Sequence, residues 1–258
     1  MLESIHVTND DGDRVLKDLI ALAGQPQSSL ELVQFKTLVS ADQYRRLYDL
    51  TQQYVRPGSA VLDWGCGNGH MTYALGAFGH HTTGYSLDAS PPLAAFASSC
   101  RFESSKGGDP ERLPFPDCTF DAVFSVGVLE HVRETGGTEV GSLREIKRIL
   151  KPAGLFVCYH LPNRYSYIEA VAQFLPYSHH HRYRFTESMV RDLCARVGLE
   201  ILDLRRYGAL PRNPWQVMPR WLGNSRRVAR WWDALDSWFE VLLSPVLQNY
   251  YFIARKSD

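Results

Sequence analysis

Val61-Leu62-Asp63-Trp64-Gly65-Cys66-Gly67-Asn68-Gly69-His70 is the stretch whose reading decides the fold. An apolar run (Ala60, Val61, Leu62) stops at an acid, and glycines follow at every second position. The run predicts a strand buried in a parallel sheet. Glycines carry no Cβ atoms, so a ligand can approach the backbone where the strand turns. Met71 to Phe78 holds helix formers, and the turn therefore feeds a helix N-terminus whose N–H groups point outward.

Two ligand classes suit such a turn. A dinucleotide site uses Gly-x-Gly-x-x-Gly and an uncharged approach to the pyrophosphate. Here the spacing is Gly-x-Gly-x-Gly with Asp63 directly before it, an arrangement that repels a diphosphate and suits a cationic or amine-bearing ligand. The block resembles motif I of the class I S-adenosylmethionine-dependent methyltransferases (the type 11-like family). That resemblance implies an α/β fold: a Rossmann-like, mostly parallel seven-stranded sheet flanked by helices, its last strand antiparallel. It also implies S-adenosyl-L-methionine as cofactor, with S-adenosyl-L-homocysteine as product, held at Asp63, Gly65, Cys66, Gly67, Asn68 and Gly69.

Working outward, His80 to Leu87 reads as the second strand. The resembled family ends it with an acid that accepts from the ribose hydroxyls. Ser86 stands at that position here, with Leu87 beside it and Asp88 two residues later, so either Ser86 or Asp88 is the ribose contact. Pro92 to Cys100 predicts a helix, and Phe102 to Gly108 reads poorly as a strand. Gly108-Asp109-Pro110-Glu111-Arg112-Leu113-Pro114-Phe115 resembles the family's adenine-binding segment. By that resemblance Asp109 accepts from the adenine amino group. Pro110 has no N–H, so the ring contact falls to Glu111 or is missing. Phe120 to Val126 is a strong strand pattern, and Gly127-Val128-Leu129-Glu130-His131 resembles the family's fourth-strand ending beside the sulfonium, which adds Ser125, Val126, Gly127 and His131 to the cofactor set. An amphipathic helix over 141–150, a Lys-Pro turn and a strand over 155–159 complete the likeness.

The segment 160–186 is rich in polar rings and follows the last core strand, where α/β sheets present ligands. His181, His160 and His131 are the candidate general bases, since imidazole titrates near neutrality. The run His179-His180-His181 invites a metal, but adjacent residues point apart and no carboxylate or cysteine cluster accompanies them, so no metal is expected. Thr186 to Val197 predicts a helix, and strands are expected over 199–204 and 249–255.

From Arg205 to Arg230 there are seven arginines without an acid or lysine, and five of the six tryptophans lie between Trp215 and Trp238. Val228, Trp231, Trp232, Leu235, Phe239 and Leu242 share one helical stripe. It covers the core, or it docks an anionic amphiphile such as a lipid- or nucleotide-linked sugar. A peripheral membrane contact through 205–243 follows from the second reading. In the lead, Val15 to Ala23 is expected to be a loosely attached helix or part of a disordered lead, and Leu30 to Val55 a helix in which Tyr44 and Tyr48 pack or line the site. The organisation reads as a helical lead and cap over 1–56 and a methyltransferase domain over 57–258.

Composition narrows the class. Over 258 residues, 28 Lys and Arg balance 28 Asp and Glu, which argues against a nucleic-acid partner. Five scattered cysteines, a polar N-terminus and no membrane-length apolar run predict a cytoplasmic protein with reduced thiols. The expected activity is methylation, through oxygen, of a small molecule or a lipid- or glycan-linked acceptor. A regulatory protein that keeps the cofactor pocket and a nicotinamide oxidoreductase are the alternatives.

Overall fold

Alternation along the central strands explains the architecture. Val61, Phe124, Val157 and Ile253 turn to one face of a sheet, while their chain neighbours Leu62, Val123, Phe156 and Phe252 turn to the other, and all eight are at most 2% exposed. A sheet buried on both faces needs helices on both, which is the layered α/β solution. The computed structural model describes residues 10–25, 32–87, 96, 100–104, 108–174 and 181–257.

In chain order the elements are α1 (Asp10–Ala23), α2 (Leu38–Ala41), α3 (Arg45–Tyr54), β1 (Ala60–Trp64), α4 (His70–Ala77), β2 (His81–Ser86), β3 (Arg101–Ser104) and β4 (Phe120–Val126). They continue as α5 (Glu139–Ile149), β5 (Leu150–Pro162), α6 (Tyr167–Ala172), α7 (Glu187–Val197), β6 (Leu199–Tyr207), α8 (Arg220–Gly223), α9 (Arg226–Leu242) and β7 (Asn249–Lys256). The seven strands run β3-β2-β1-β4-β5-β7-β6, with β7 antiparallel to both neighbours and the other pairs parallel. The last strand therefore lies inside the sheet, and β6 forms the edge. Among the described residues no helix is long and apolar enough to cross a membrane.

Three local expectations change. The lead helix is not loosely attached: Val15, Leu16, Leu19 and Ala23 form one stripe, each at most 1% exposed, in the core cluster that also holds Leu47 and Tyr48. The expected single helix over 30–55 is interrupted. Thr37 adopts an extended conformation, and its hydroxyl accepts from Ser40 N to start α2 afresh, after which a single-turn 3-10 segment (Asp42–Tyr44) leads into α3. Arg101–Ser104, in place of a weak stretch beginning at Phe102, is a true edge strand paired with β2 from Thr83↔Arg101 to Ser86↔Ser104. Gly84 permits that pairing, because a Cβ there would lie 2.7 Å from the Phe102 ring. The helix expected over 92–100 falls almost wholly outside the described residues.

Candidate functional site

At the C-terminal end of β1 the chain makes the turn that the glycine spacing implied. Gly65, Gly67 and Gly69 all have left-handed backbone, with φ of +77°, +50° and +89°. A Cβ on Gly65 would fall 2.4 Å from a methyl of Val128, so the loop and the segment after β4 meet at a distance only glycine allows. Gly65 N and Cys66 N both donate to Tyr85 O at the end of β2, and Gly69 is the N-cap of α4. Asn68 Oδ1 accepts from His70 N and lies 2.7 Å from His70 Nδ1.

Asp63 is 2% exposed, and Thr72 from α4 donates to its Oδ2 at 2.7 Å. Burial pushes its carboxyl up to about 6, with the Thr72 bonds pulling the other way. A buried acid with so little compensation, beside a glycine turn, suits the positive end of a ligand. The ammonium of S-adenosylmethionine fits that demand. Burial holds the Cys66 thiol up at about 12, so it meets a ligand uncharged.

The other expected cofactor residues are less uniform. Ser86 ends β2, Leu87 packs on the second core cluster, and Asp88 lies outside the described residues. Asp109 is exposed and its Oδ1 accepts from Glu111 N, so that N–H is already engaged. The Pro110 carbonyl accepts from Ser142 Oγ, and the Glu111 carboxylate accepts from both Thr138 N and Thr138 Oγ1 at the start of α5. Ser125 is fully buried, Val126 is half-buried, and Gly127 has φ of +69° and donates to Tyr159 O.

Beside this loop opens a cavity of about 640 Å³ between the C-terminal sheet edge and a roof made of α3, its preceding turn and α9. Its wall carries six carboxylates (Asp42, Asp49, Glu130, Asp233, Asp236, Glu240) against three arginines (Arg45, Arg46, Arg212). The arginines are committed. Arg46 holds Glu240 through two bonds of 3.0 and 2.9 Å; Arg45 holds Asp42 at 3.0 Å; Arg212 lies 2.6 Å from Asp233 and 3.5 Å from Asp236. Burial, and then the Asp233 charge, raise Asp42 to about 6 despite Arg45. Burial likewise raises Asp236. Arg205 and Arg206 pair outside the cavity with Asp203 and Glu187, so the arginine run is no phosphate clamp over its first half.

The inward face of α9 was misjudged from the sequence. Asp233, Asp236 and Glu240 face the cavity at i, i+3 and i+7, whereas Trp231 and Leu242, expected in the buried stripe, are 61% and 58% exposed. The acids turn inward because Arg46 and Arg212 meet them there. That i, i+3, i+7 spacing was the available signal, and the tryptophans masked it.

All three candidate histidines line the cavity, as do Tyr44 and Tyr207, while Tyr48 is fully buried in the core. His160 sits at a β5 bulge with φ of +63°. Its backbone N–H donates to Tyr207 Oη at 2.9 Å, and its Nδ1 lies 2.8 Å from the same oxygen. Burial, with His70 and His181 nearby, drives its imidazole down to about 3. His131 Nδ1 pairs with Glu134 at 2.9 Å. His181 Nδ1 pairs with Glu169 Oε1 at 3.0 Å, and its backbone N–H donates to Oε2 of the same carboxylate. Burial lowers His181, but the Glu169 bond and charge outweigh it and leave the ring above its ordinary value. Glu130, which sequence reasoning left without a role, is 2% exposed and faces His181 Nε2 across 4.0 Å. Burial pushes its carboxyl up to about 7.

Comparison with known proteins agrees with this geometry. Residues 62–158 match a family described as a methyltransferase domain. A sterol 24-C-methyltransferase of Gibberella zeae is 34% identical over 111 residues, 41% of this chain and 28% of that one. The chain spans about half or less of the length of the first curated relatives it matches. A ubiquinone biosynthesis O-methyltransferase of Xanthomonas campestris is 28% identical over 188 residues, covering 68% of this chain and 75% of the relative. Among solved structures, a Burkholderia thailandensis 1,6-didemethyltoxoflavin-N1-methyltransferase with bound S-adenosylhomocysteine superposes with a TM-score of 0.54 over all of this chain and 94% of its own, at 19% identity. At that identity the likeness speaks to the fold.

Proposed function

We propose, from a chain that belongs to the class I S-adenosylmethionine-dependent methyltransferases, that it methylates a hydroxyl of a small, polyhydroxylated acceptor such as a sugar, free or carried on a lipid or nucleotide. The observation that carries this reading is the cavity wall, where arginine–carboxylate pairs offer dense donors and acceptors and an excess of negative charge. Such a wall suits an uncharged polyol, is a poor surface for a sterol ring, and repels a free phosphate. When bound, the cofactor supplies an activated methyl group. The chain supplies alignment and a dry site, effects worth up to about 7–11 kcal/mol.

Asp63 anchors the positive end of the cofactor, and the glycines of the turn allow its close approach. Glu130, His131 and His181 form the basic cluster that receives the hydroxyl proton, and Glu169 is the positioning residue that orients His181 through Nδ1. His160, near 3, is too weak a base at neutral pH and acts by shaping the wall with Tyr44 and Tyr207.

A second feature supports delivery of the acceptor at a membrane surface. The outward face of α8 and α9 carries Arg220 and Arg227, then exposed Trp221, Trp231, Trp238, Val241 and Leu242, with no acid among its exposed positions, while Arg226 and Arg230 line a second cavity against α1 beside Asp13, Asp42 and Asp233. Among the described residues none of those four arginines is ion-paired. Basic and tryptophan side chains together suit an anionic lipid interface.

The test is transfer of isotopically labelled methyl from S-adenosylmethionine to a panel of monosaccharides, nucleotide sugars, phenols and amines. Label in a sugar-class hydroxyl supports the reading. Labelling of amines alone, or cofactor binding by calorimetry with no transfer to any acceptor, refutes it.

A further inference from the structure

The sequence argued against a metal because three consecutive histidines cannot converge. The fold assembles a different trio. Glu130 and His131 come from the 3-10 turn after β4 and His181 from the chain entering α7, and one donor atom from each lies within 4.8 Å of the others. We propose that Glu130, His131 and His181 bind a divalent transition-metal cation in the wall of the acceptor cavity.

Three features make this a built site. Each imidazole has its Nδ1 on a carboxylate, His131 on Glu134 and His181 on Glu169. That arrangement fixes the tautomer and orients the ring of metal-ligating histidines. His181 Nε2 points toward Glu130, 4.0 Å away. Ligands about 2.1 Å from a common tetrahedral ion stand roughly 3.4 Å apart, so closure needs about 0.3 Å from each side between His181 and Glu130, and at most about 0.7 Å from each side elsewhere in the trio.

The third feature is Glu130. It is 2% exposed, and neither carboxylate oxygen has a hydrogen-bond partner among the described residues. Buried polar atoms left without partners carry a desolvation cost that a cation offsets. Two imidazoles and one carboxylate favour zinc, iron, cobalt or manganese over magnesium or calcium, which prefer all-oxygen shells.

Three protein ligands leave coordination open toward the cavity. With an ion bound, these three side chains would serve as its ligands in place of the base assigned above, and a hydroxyl coordinated there would lose its proton to solvent at a lower pH than when free. This use of the ion rests on the acceptor reading above; the binding itself does not.

The experiment is calorimetric titration of ZnCl2, with CoCl2 as a spectroscopic probe, into the full chain stripped with a chelator. One ion per chain at micromolar affinity or better is expected. His131→Ala and His181→Ala should each abolish or greatly weaken binding. Glu169→Gln should weaken it roughly 10–100-fold. His179→Ala/His180→Ala should leave it unchanged. An unchanged far-ultraviolet spectrum and thermal midpoint certify that each variant is folded. No bound ion, or binding lost only in the His179/His180 variant, overturns the proposal. Ion binding without methyl transfer refutes the acceptor reading and leaves the cation site standing. Undiminished methyl transfer by stripped protein that takes up no ion does the reverse.

Discussion

Asp63→Asn separates the cost of the cofactor seat from its benefit. The carboxyl is 2% exposed and sits at about 6 in the folded chain, against 3.8 for an ordinary aspartate. That difference corresponds to about 3 kcal/mol of destabilisation at neutral pH, at 1.36 kcal/mol per pH unit. The sign follows from proton counting. Between 3.8 and about 6 the folded state keeps a proton that the unfolded state has released, so stability falls as pH rises through that window and stays low above it. The asparagine never carries the charge. Allowing about 1 kcal/mol for its weaker bond with Thr72, the ligand-free variant should gain about 1–2 kcal/mol at pH 7.5 and nothing at pH 4. For a chain of this size that is a rise of roughly 2–8 °C in Tm. The same change removes a charge-assisted bond to the cofactor ammonium, worth about 1.5–3 kcal/mol, and should weaken S-adenosylmethionine binding roughly 10- to 150-fold. Thermal melts at pH 4 and 7.5, with calorimetry at pH 7.5, read both effects. A variant that melts lower without ligand and binds the cofactor as tightly as the parent would refute the reasoning.

Gly65→Ala forces a Cβ to 2.4 Å from Val128 at a φ of +77° and should cost about 1–3 kcal/mol. Val128→Ala in the same chain should restore part of the loss in a denaturant titration. Arg212→Ala leaves Asp233 and Asp236 facing each other, with Asp42 close by. The loss should be about 3–5 kcal/mol at pH 7.5, and smaller at pH 5, because Asp42, at about 6, is then protonated; melts at the two pH values measure the difference. Tyr207→Phe strips the hydroxyl that accepts from His160 N and pairs with its ring. A stability loss of about 1–3 kcal/mol is expected, with a lower kcat in the labelled-methyl assay. Trp231→Ala/Trp238→Ala changes exposed side chains, so transfer to a soluble acceptor should be unchanged while cosedimentation with anionic phospholipid vesicles falls.

The parts of the fold that the sequence disclosed are those set by local patterning. β1 and β4 are short strands of mainly apolar residues, and Thr186 and Gly198 begin and end α7 by bonds to residues within a few positions. β3 was misread because Arg101 and Glu103 make an edge strand look polar, and its pairing depends on Gly84 lying under Phe102. The lead helix was misread for the opposite reason. Its stripe is short, and only the helices it packs on, α2, α3 and α4, make it part of the core.

The site divides along the same line. Asp63 and the three glycines act through backbone conformation and one buried charge within seven residues, so their chemistry is written locally. The proposed acceptor cavity is written across the chain: Arg46 meets Glu240 across 194 positions, His160 meets Tyr207 across 47, and His181 reaches Glu130 from a segment about fifty residues on. A charged side chain on a helix reads as solvent-facing until its partner is known, which is why Asp233, Asp236 and Glu240 carry no role in the sequence reading while Trp231 falls in the buried stripe. The exchange follows from desolvation. An acid buried alone is costly, whereas a facing guanidinium offsets part of that cost. One arginine on α3 and one before α9 therefore draw three acids of a seventeen-residue helix inward, beside a stripe (Val228, Trp232, Leu235 and Phe239) that stays half-buried.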